Sequence, residues 1–188
     1  PVITEAVAER IVAEIMQPTV KGMQKDGNPY LGFLYAGLII AADGTAKVLE
    51  FNCRLGDPET QPLLFRLKSD LVVLIEAALD GSLKNTQAEW DSRVALGIVM
   101  TAGGYPGKHR IGDIIKGIPE RSPEHLKVFH AGTARNGDAI VTGGGRVLCA
   151  VALGSTVTEA QQEAYELASR IGWRGLYYRK DIGYRAVA

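Results

Sequence analysis

The chain has 188 residues, 46% hydrophobic and 22% charged, which is enough apolar material for a core in one domain or two small ones. With 21 basic and 21 acidic residues the net charge is +0, so the basic footprint of a nucleic-acid binder is missing. The longest apolar stretches, residues 31–42 and 71–79, are broken by Gly or charge and do not reach the length of a membrane span.

The first residue is Pro1 rather than Met, so a fragment or trimmed chain is expected. PVITEAVAER carries acidic residues and no basic n-region, and reads as no signal peptide. Cys53 and Cys149 form neither a CxxC pair nor a metal-ligand spacing, which fits small core residues in a reduced, cytoplasmic protein.

Thr4 predicts the cap of a first helix, with Val7, Ile11 and Ile15 on one face and Pro18 at its end. KGMQKDGNPY then reads as a loop. LGFLYAGLII, apolar on both faces, predicts a central strand. Asp43-Gly44 supplies a hairpin turn, and AKVLEFNCR is the return strand. GDP breaks it, and LLFRL predicts a short helical piece. Ser69 is expected to cap the next helix, with Leu71, Leu74, Ile75, Ala78 and Leu79 on one face and Gly81 after its end.

KNTQAEWDSR reads as a linker, which places a domain boundary near residues 90–93. Beyond it come short apolar runs joined by glycine turns: VALGIVMTAGGYPG, KVFHAGT and AIVTGGGRVLCAVALG. One helix follows, capped by Thr158, with Ala160, Ala164, Leu167, Ala168 and Ile171 inward and Gly172 stopping it. LYYR predicts a last strand before DIGYRAVA.

The chemistry concentrates in Glu50-Phe51-Asn52-Cys53-Arg54-Leu55-Gly56-Asp57-Pro58-Glu59. With period two, Leu49, Phe51 and Cys53 share one face of the strand, and Glu50, Asn52 and Arg54 share the other. The polar row can be the solvated face of a sheet. It also suits a metal–nucleotide site, because Mg²⁺ takes hard oxygen ligands from few protein groups, and an arginine fork matches phosphate or carboxylate. Pro58 holds Asp57 extended, so Asp57 and Glu59 project from a stiff loop. Gly103–Lys108 is not a P-loop, since Ala102 stands where its first Gly is required and His109 replaces Ser or Thr; Gly143–Arg146 likewise reads as a turn. His109, His125 and His130 lack metal-ligand spacing, though His130 could face a site.

EFNCRLGDPETQPLL resembles the identifying segment of the glycinamide ribonucleotide synthetases, ATP-grasp enzymes in which R-(F or L)-G-D-P-E-x-Q follows E-F-N. YLGFLYAGLII upstream, and VMTAGGYPG, VFHAGT, GGRVLCAVALG and RKDIGYRA downstream, resemble the same family in the same order. The resemblance implies an α+β chain. Residues 1–92 would be the C-terminal part of an ATP-grasp fold, and residues 93–188 a small β-rich domain with one long helix. It further implies that Glu50 and Asn52 hold Mg²⁺ or Mn²⁺, with ATP as co-substrate. Arg54 would act in catalysis, and Asp57 and Glu59 would line the substrate site. Arg179 and Asp181 would also contact substrate, with Asp181 orienting Arg54 or the loop at Gly56; a solvated strand end is the alternative. Many ATP-grasp relatives carry another acid on the preceding strand, where this chain has Leu38-Ile39-Ile40.

The implied reaction joins glycine to phosphoribosylamine through glycyl phosphate. Its partners would be these small molecules and the missing N-terminal half, without which the fragment is expected to be inactive; no nucleic acid and no membrane are implied. Another ATP-grasp carboxylate–amine ligase, or a non-catalytic binding module keeping the fold, stands as the alternative.

Overall fold

A computed structural model of the chain describes residues 3–187. It mixes helices with open antiparallel sheets and divides into two compact units. One takes the chain up to Asp57 together with Ser69–Ala88; the other takes Pro58–Lys68 together with the chain from Glu89 onward. Among the described residues no helix is long and apolar enough to cross a membrane.

In the first unit, Thr4 caps α1 (Glu5–Ile11) as its side chain predicts, accepting from the Val7 N–H at 3.3 Å. Pro18 does not end the helix. A π-type turn over Val12–Met16 leads into α2 (Gln17–Lys25), with the Gln17 N–H bonding the Val12 carbonyl. The wider turn brings the proline in at the start of α2, where its missing N–H costs nothing. KGMQKDGNPY is therefore helical as far as Lys25.

β1 (Tyr35–Ile40) and β2 (Ala46–Asn52) form an antiparallel hairpin. Its turn is built on Gly44 at φ +79° and on Asp43 Oδ1, which accepts from the Thr45 N–H at 2.9 Å. β1 is not the central strand that its two apolar faces predict. It starts only at Tyr35 and pairs with β2 in a two-stranded sheet. The apolar face of β2 is likewise uncovered, with Leu49 66% exposed, because two strands alone cannot bury a sheet face. Asp70, not Ser69, caps α4 (Leu71–Leu79): its Oδ1 accepts from the Val72 N–H at 2.8 Å. Gly81, at φ +79°, follows the helix as expected.

The second unit is a three-stranded antiparallel sheet in the order β3-β7-β4, from Val94–Thr101, Arg146–Gly154 and Leu126–His130. A small hairpin, β5 (Thr133–Asn136) with β6 (Ala139–Thr142), interrupts it. α5 (Val157–Ser169) packs on one face of the sheet. Its Ala160, Ala164 and Ala168 are fully buried and lie close to Ile98, Met100 and Ala150, in one core with Leu167 and Ile171. Small residues at four-residue spacing let the helix approach the strands closely. At Gly154, a Cβ would strike the Ala160 backbone.

Thr156, not Thr158, caps α5, accepting from the Glu159 N–H at 3.1 Å while Glu159 takes the Ser155 N–H at 2.6 Å. This reciprocal pairing is what makes position 156 the start. The helix ends at Ser169, before Gly172, whose N–H and carbonyl pair with Lys116 instead. LYYR forms no strand; Tyr177 alone pairs with Thr101.

α3 (Thr60–Arg66) lies against the opposite face of the sheet. Gly97 makes room for it, since a Cβ there would meet Cys149 Sγ at 3.1 Å and Pro62 Cδ at 3.6 Å. Phe65 meets Phe129 edge-on at 5.9 Å.

Candidate functional site

Period-two geometry places Glu50, Asn52 and Arg54 along one side of β2 and its extension. Arg54 turns back along the chain. Its Nη2 donates to Asn52 Oδ1 at 3.3 Å and its Nη1 donates to the Leu55 carbonyl at 2.8 Å. Asn52 Nδ2 is buried and has no hydrogen-bond partner. Across the hairpin Glu50 faces Gly37, and a Cβ on Gly37 would come within 3.1 Å of Glu50 Cγ, so the glycine clears the path of the glutamate stem. Behind this row the Tyr30 hydroxyl donates to the Phe33 carbonyl at 2.6 Å; its pKa is raised, chiefly by desolvation and then by the Cys53 thiol beside it.

These donors suit a hard cation. Glu50 and Asn52 each carry a hard oxygen on the same side of β2, and the unpartnered Asn52 Nδ2 is a donor that suits an acceptor such as a phosphate oxygen rather than a cation. Among the described residues no cluster of three or more His, Cys, Asp and Glu side chains could hold a metal. A cation on β2 would therefore rest on this pair, completed by water and phosphate oxygens, as Mg²⁺ accepts.

Asp57 closes the first unit. Glu59, in the second, is the residue preceding α3 and makes no side-chain cap bond to it. Arg179 and Asp181 also belong to the second unit and form a forked pair, Nε to Oδ1 at 2.8 Å and Nη2 to Oδ2 at 2.7 Å. Arg179 holds the Asp181 carboxyl below its usual range, and both oxygens are engaged. His130 bonds the Thr133 hydroxyl at 3.1 Å and lines a different groove, beside Phe129 and Pro123.

A cavity of about 540 Å³ opens over the β3 face that carries Gly97, Val99 and Thr101. Tyr105, Tyr177 and Arg179 wall it. The Tyr105 ring lies on Gly145, where a Cβ would collide with it, and its hydroxyl accepts from Arg146 Nη1 at 3.2 Å. The glycine runs at 103–104 and 143–145 thus serve as turns that seat an aromatic wall. Gly104, at φ +98°, lies so close to the Lys108 carbonyl that only glycine fits.

Sequence reasoning missed one polar cluster. Asp91 is 7% exposed. Arg93 grips its carboxylate with Nε at 3.0 Å and Nη2 at 2.7 Å, and the Arg93 N–H adds a bond at 2.9 Å. The Arg93 side chain, then its backbone N–H, hold the Asp91 carboxyl well below the usual carboxylate range. The Asp-x-Arg spacing inside KNTQAEWDSR was the available signal, but a polar run of that kind reads as a linker.

Two family models match the chain: Phosphoribosylglycinamide synthetase, ATP-grasp (A) domain, over residues 1–60, and Phosphoribosylglycinamide synthetase, C domain, over residues 95–185. The chain is 57% identical over 188 residues to the phosphoribosylamine–glycine ligase of Vibrio vulnificus strain YJ016, covering 100% of the chain and 44% of the relative. It is 58% identical to the protein of that name from Allochromatium vinosum, with the same coverage. A crystal structure of phosphoribosylamine–glycine ligase from Thermotoga maritima superposes with a TM-score of 0.84 at 36% identity, over 97% of this chain and 44% of that one. A structure of Rhizobium etli pyruvate carboxylase is similar at a TM-score of 0.64 and 15% identity, over 100% of this chain and 19% of that one, a likeness of fold alone. The chain thus spans less than half the length of the relatives it matches.

Proposed function

The chain belongs to the phosphoribosylglycinamide synthetase family, and on that premise we propose that it is the C-terminal part of an ATP-dependent ligase joining glycine to phosphoribosylamine. Residues 1–92 supply the end of the ATP-grasp fold and residues 93–188 the C-terminal domain, with Pro58–Lys68 and Glu89 onward packed into the latter's unit. The preceding half of the enzyme completes the site, and the whole acts in the cytoplasm.

In this reaction a glycine carboxylate oxygen attacks the γ-phosphorus of ATP, the bond to ADP breaks, and glycyl phosphate forms. The amine of phosphoribosylamine then attacks the glycyl carbonyl carbon, phosphate leaves, and the amine loses its extra proton. A divalent cation, Mg²⁺ or Mn²⁺, held by Glu50 and Asn52 would neutralise charge on the terminal phosphates. Arg54 uses one N–H on Asn52 and one on Leu55; of the five donors of a guanidinium, the others stay free to face the transferring phosphoryl group or the acyl phosphate. Asp57, Glu59, Arg179 and Asp181 orient the substrates.

The observation that carries this reading is the Asn52–Arg54 contact, which ties the amide oxygen proposed for the metal to the cation proposed for the phosphoryl group. Its test is product formation by the full-length protein. Glycinamide ribonucleotide, ADP and phosphate should appear in equal amounts with glycine, and not with other small acids. Turnover with a different acid would identify another ATP-grasp ligase. Failure to bind Mg²⁺-nucleotide at all would identify a non-catalytic module.

A further inference from the structure

α3 follows the Asp57-Pro58-Glu59 turn in sequence, yet it is built into the C-terminal unit. Its seven residues are too few to be stable as an isolated helix, so what holds it matters. At its C-terminal end, the Asp91 N–H donates to the Arg66 carbonyl at 2.7 Å, and the Lys68 N–H donates to the Glu89 carbonyl at 2.9 Å. The Arg66 guanidinium returns to the Asp91 carbonyl with Nε at 3.1 Å and Nη2 at 3.0 Å. Asp91 is in turn fixed by the forked Arg93 pair, with Lys68 Nζ at 4.0 Å from Oδ2. Glu59, at the other end of the helix, shares a cavity of about 340 Å³ with Arg66 and Arg93.

We infer that Arg66, Asp91 and Arg93 form a clamp that positions α3, and through it Glu59, for the proposed ligase reaction. The inference rests on that reaction only for its catalytic consequence. A buried carboxylate with three bonds from one arginine is costly to desolvate and gains little net stability, so a structural task alone could be met by an apolar contact. A forked pair does fix an angle, as apolar packing does not. The arrangement fixes a short helix that Glu59 directly precedes. A displacement of about 1 Å at such a group lowers turnover by up to roughly 10²-fold.

The test is Asp91→Asn in the full-length protein, read in two ways. Hydrogen exchange at residues 59–68 should accelerate while α5 keeps its protection, and kcat per folded enzyme should fall about tenfold or more with KM for ATP held within about twofold. Should Asp91→Asn not fold, Arg66→Gln leaves the Asp91–Arg93 pair intact and carries the same two expectations. Unchanged exchange over 59–68 overturns the clamp, whether or not the protein ligates glycine. Faster exchange with an unchanged kcat per folded enzyme overturns the positioning role, leaving a purely structural contact. If the unaltered full-length protein makes no glycinamide ribonucleotide, the ligase reading fails, and the exchange result alone decides the clamp.

Discussion

Arg54 Nη2 stands 3.3 Å from the side-chain oxygen of Asn52, so the proposed catalytic cation and the proposed metal ligand are coupled by one hydrogen bond. Arg54→Ala in the full-length protein should therefore do two things: lower kcat by about 10²–10³, the equivalent of about 3–4 kcal/mol of transition-state stabilisation, and raise the Mg²⁺ concentration needed for half-maximal rate. Arg54→Lys should recover little, because a single ammonium cannot reach both Asn52 Oδ1 and the Leu55 carbonyl in the same fork. Steady-state kinetics with Mg²⁺ as the varied component distinguishes these outcomes from a simple loss of charge.

Glu50 has no acidic companion on β1, where its partner across the hairpin is Gly37. Glu50→Gln keeps the size and one oxygen but removes the charge. It should weaken Mg²⁺-dependent nucleotide binding more than Asn52→Asp, which adds a charge at the second ligand. Gly37→Ala offers an orthogonal check: its new methyl would press on the Glu50 stem at 3.1 Å, and metal dependence should shift with the global fold retained. Calorimetric titration of Mg²⁺-nucleotide into the full-length protein measures all three.

Asp91 gives the fold an acid-sensitive contact. Its folded pKa lies below the ordinary value, chiefly through the Arg93 hydrogen bonds. The stabilisation is therefore fully present above the unfolded-state pKa of about 3.9 and disappears as the pH falls through the folded value. Asp181, lowered by Arg179, contributes in the same direction. The stability gap between the unaltered protein and Asp91→Asn should be constant from about pH 7 to pH 5 and should begin to narrow below about pH 4, shrinking further toward the folded pKa. Denaturant unfolding across that range tests the sign.

The parts that could be read from sequence are those with local periodicity. β2's alternation, the turn at Asp43-Gly44 and the inward alanines of α5 depend on neighbours two to four residues away. The same alternation puts Glu50, Asn52 and Arg54 in one row, but it cannot tell a site from a solvated face; the resemblance of EFNCRLGDPE to a ligase family supplies the site reading. Caps slipped, Thr158 for Thr156 and Ser69 for Asp70, because several hydroxyl and carboxylate residues compete near each helix start and only the backbone decides which bonds. The Arg66–Asp91 contact joins residues 25 apart, and the Tyr177–Thr101 bridge residues 76 apart. Neither leaves a period. The exposed side of β2 misled for another reason: alternation tells that a face is apolar but not what covers it.

α5 makes the sharpest packing prediction. Ala164 is 0% exposed, in one core with Ile98 and Met100, and the helix sits as close as it does because its inward residues are small. Ala164→Leu should cost about 1–3 kcal/mol by overpacking, whereas Ile98→Ala should cost about 2–5 kcal/mol through the cavity it leaves. The two effects have opposite origins, so the double variant should be less destabilised than the sum of the singles, with a coupling on the order of 0.5–3 kcal/mol. Additive costs would mean that the two side chains do not share space, and that the close approach of α5 is set instead at Gly154, where its first turn meets the end of β7.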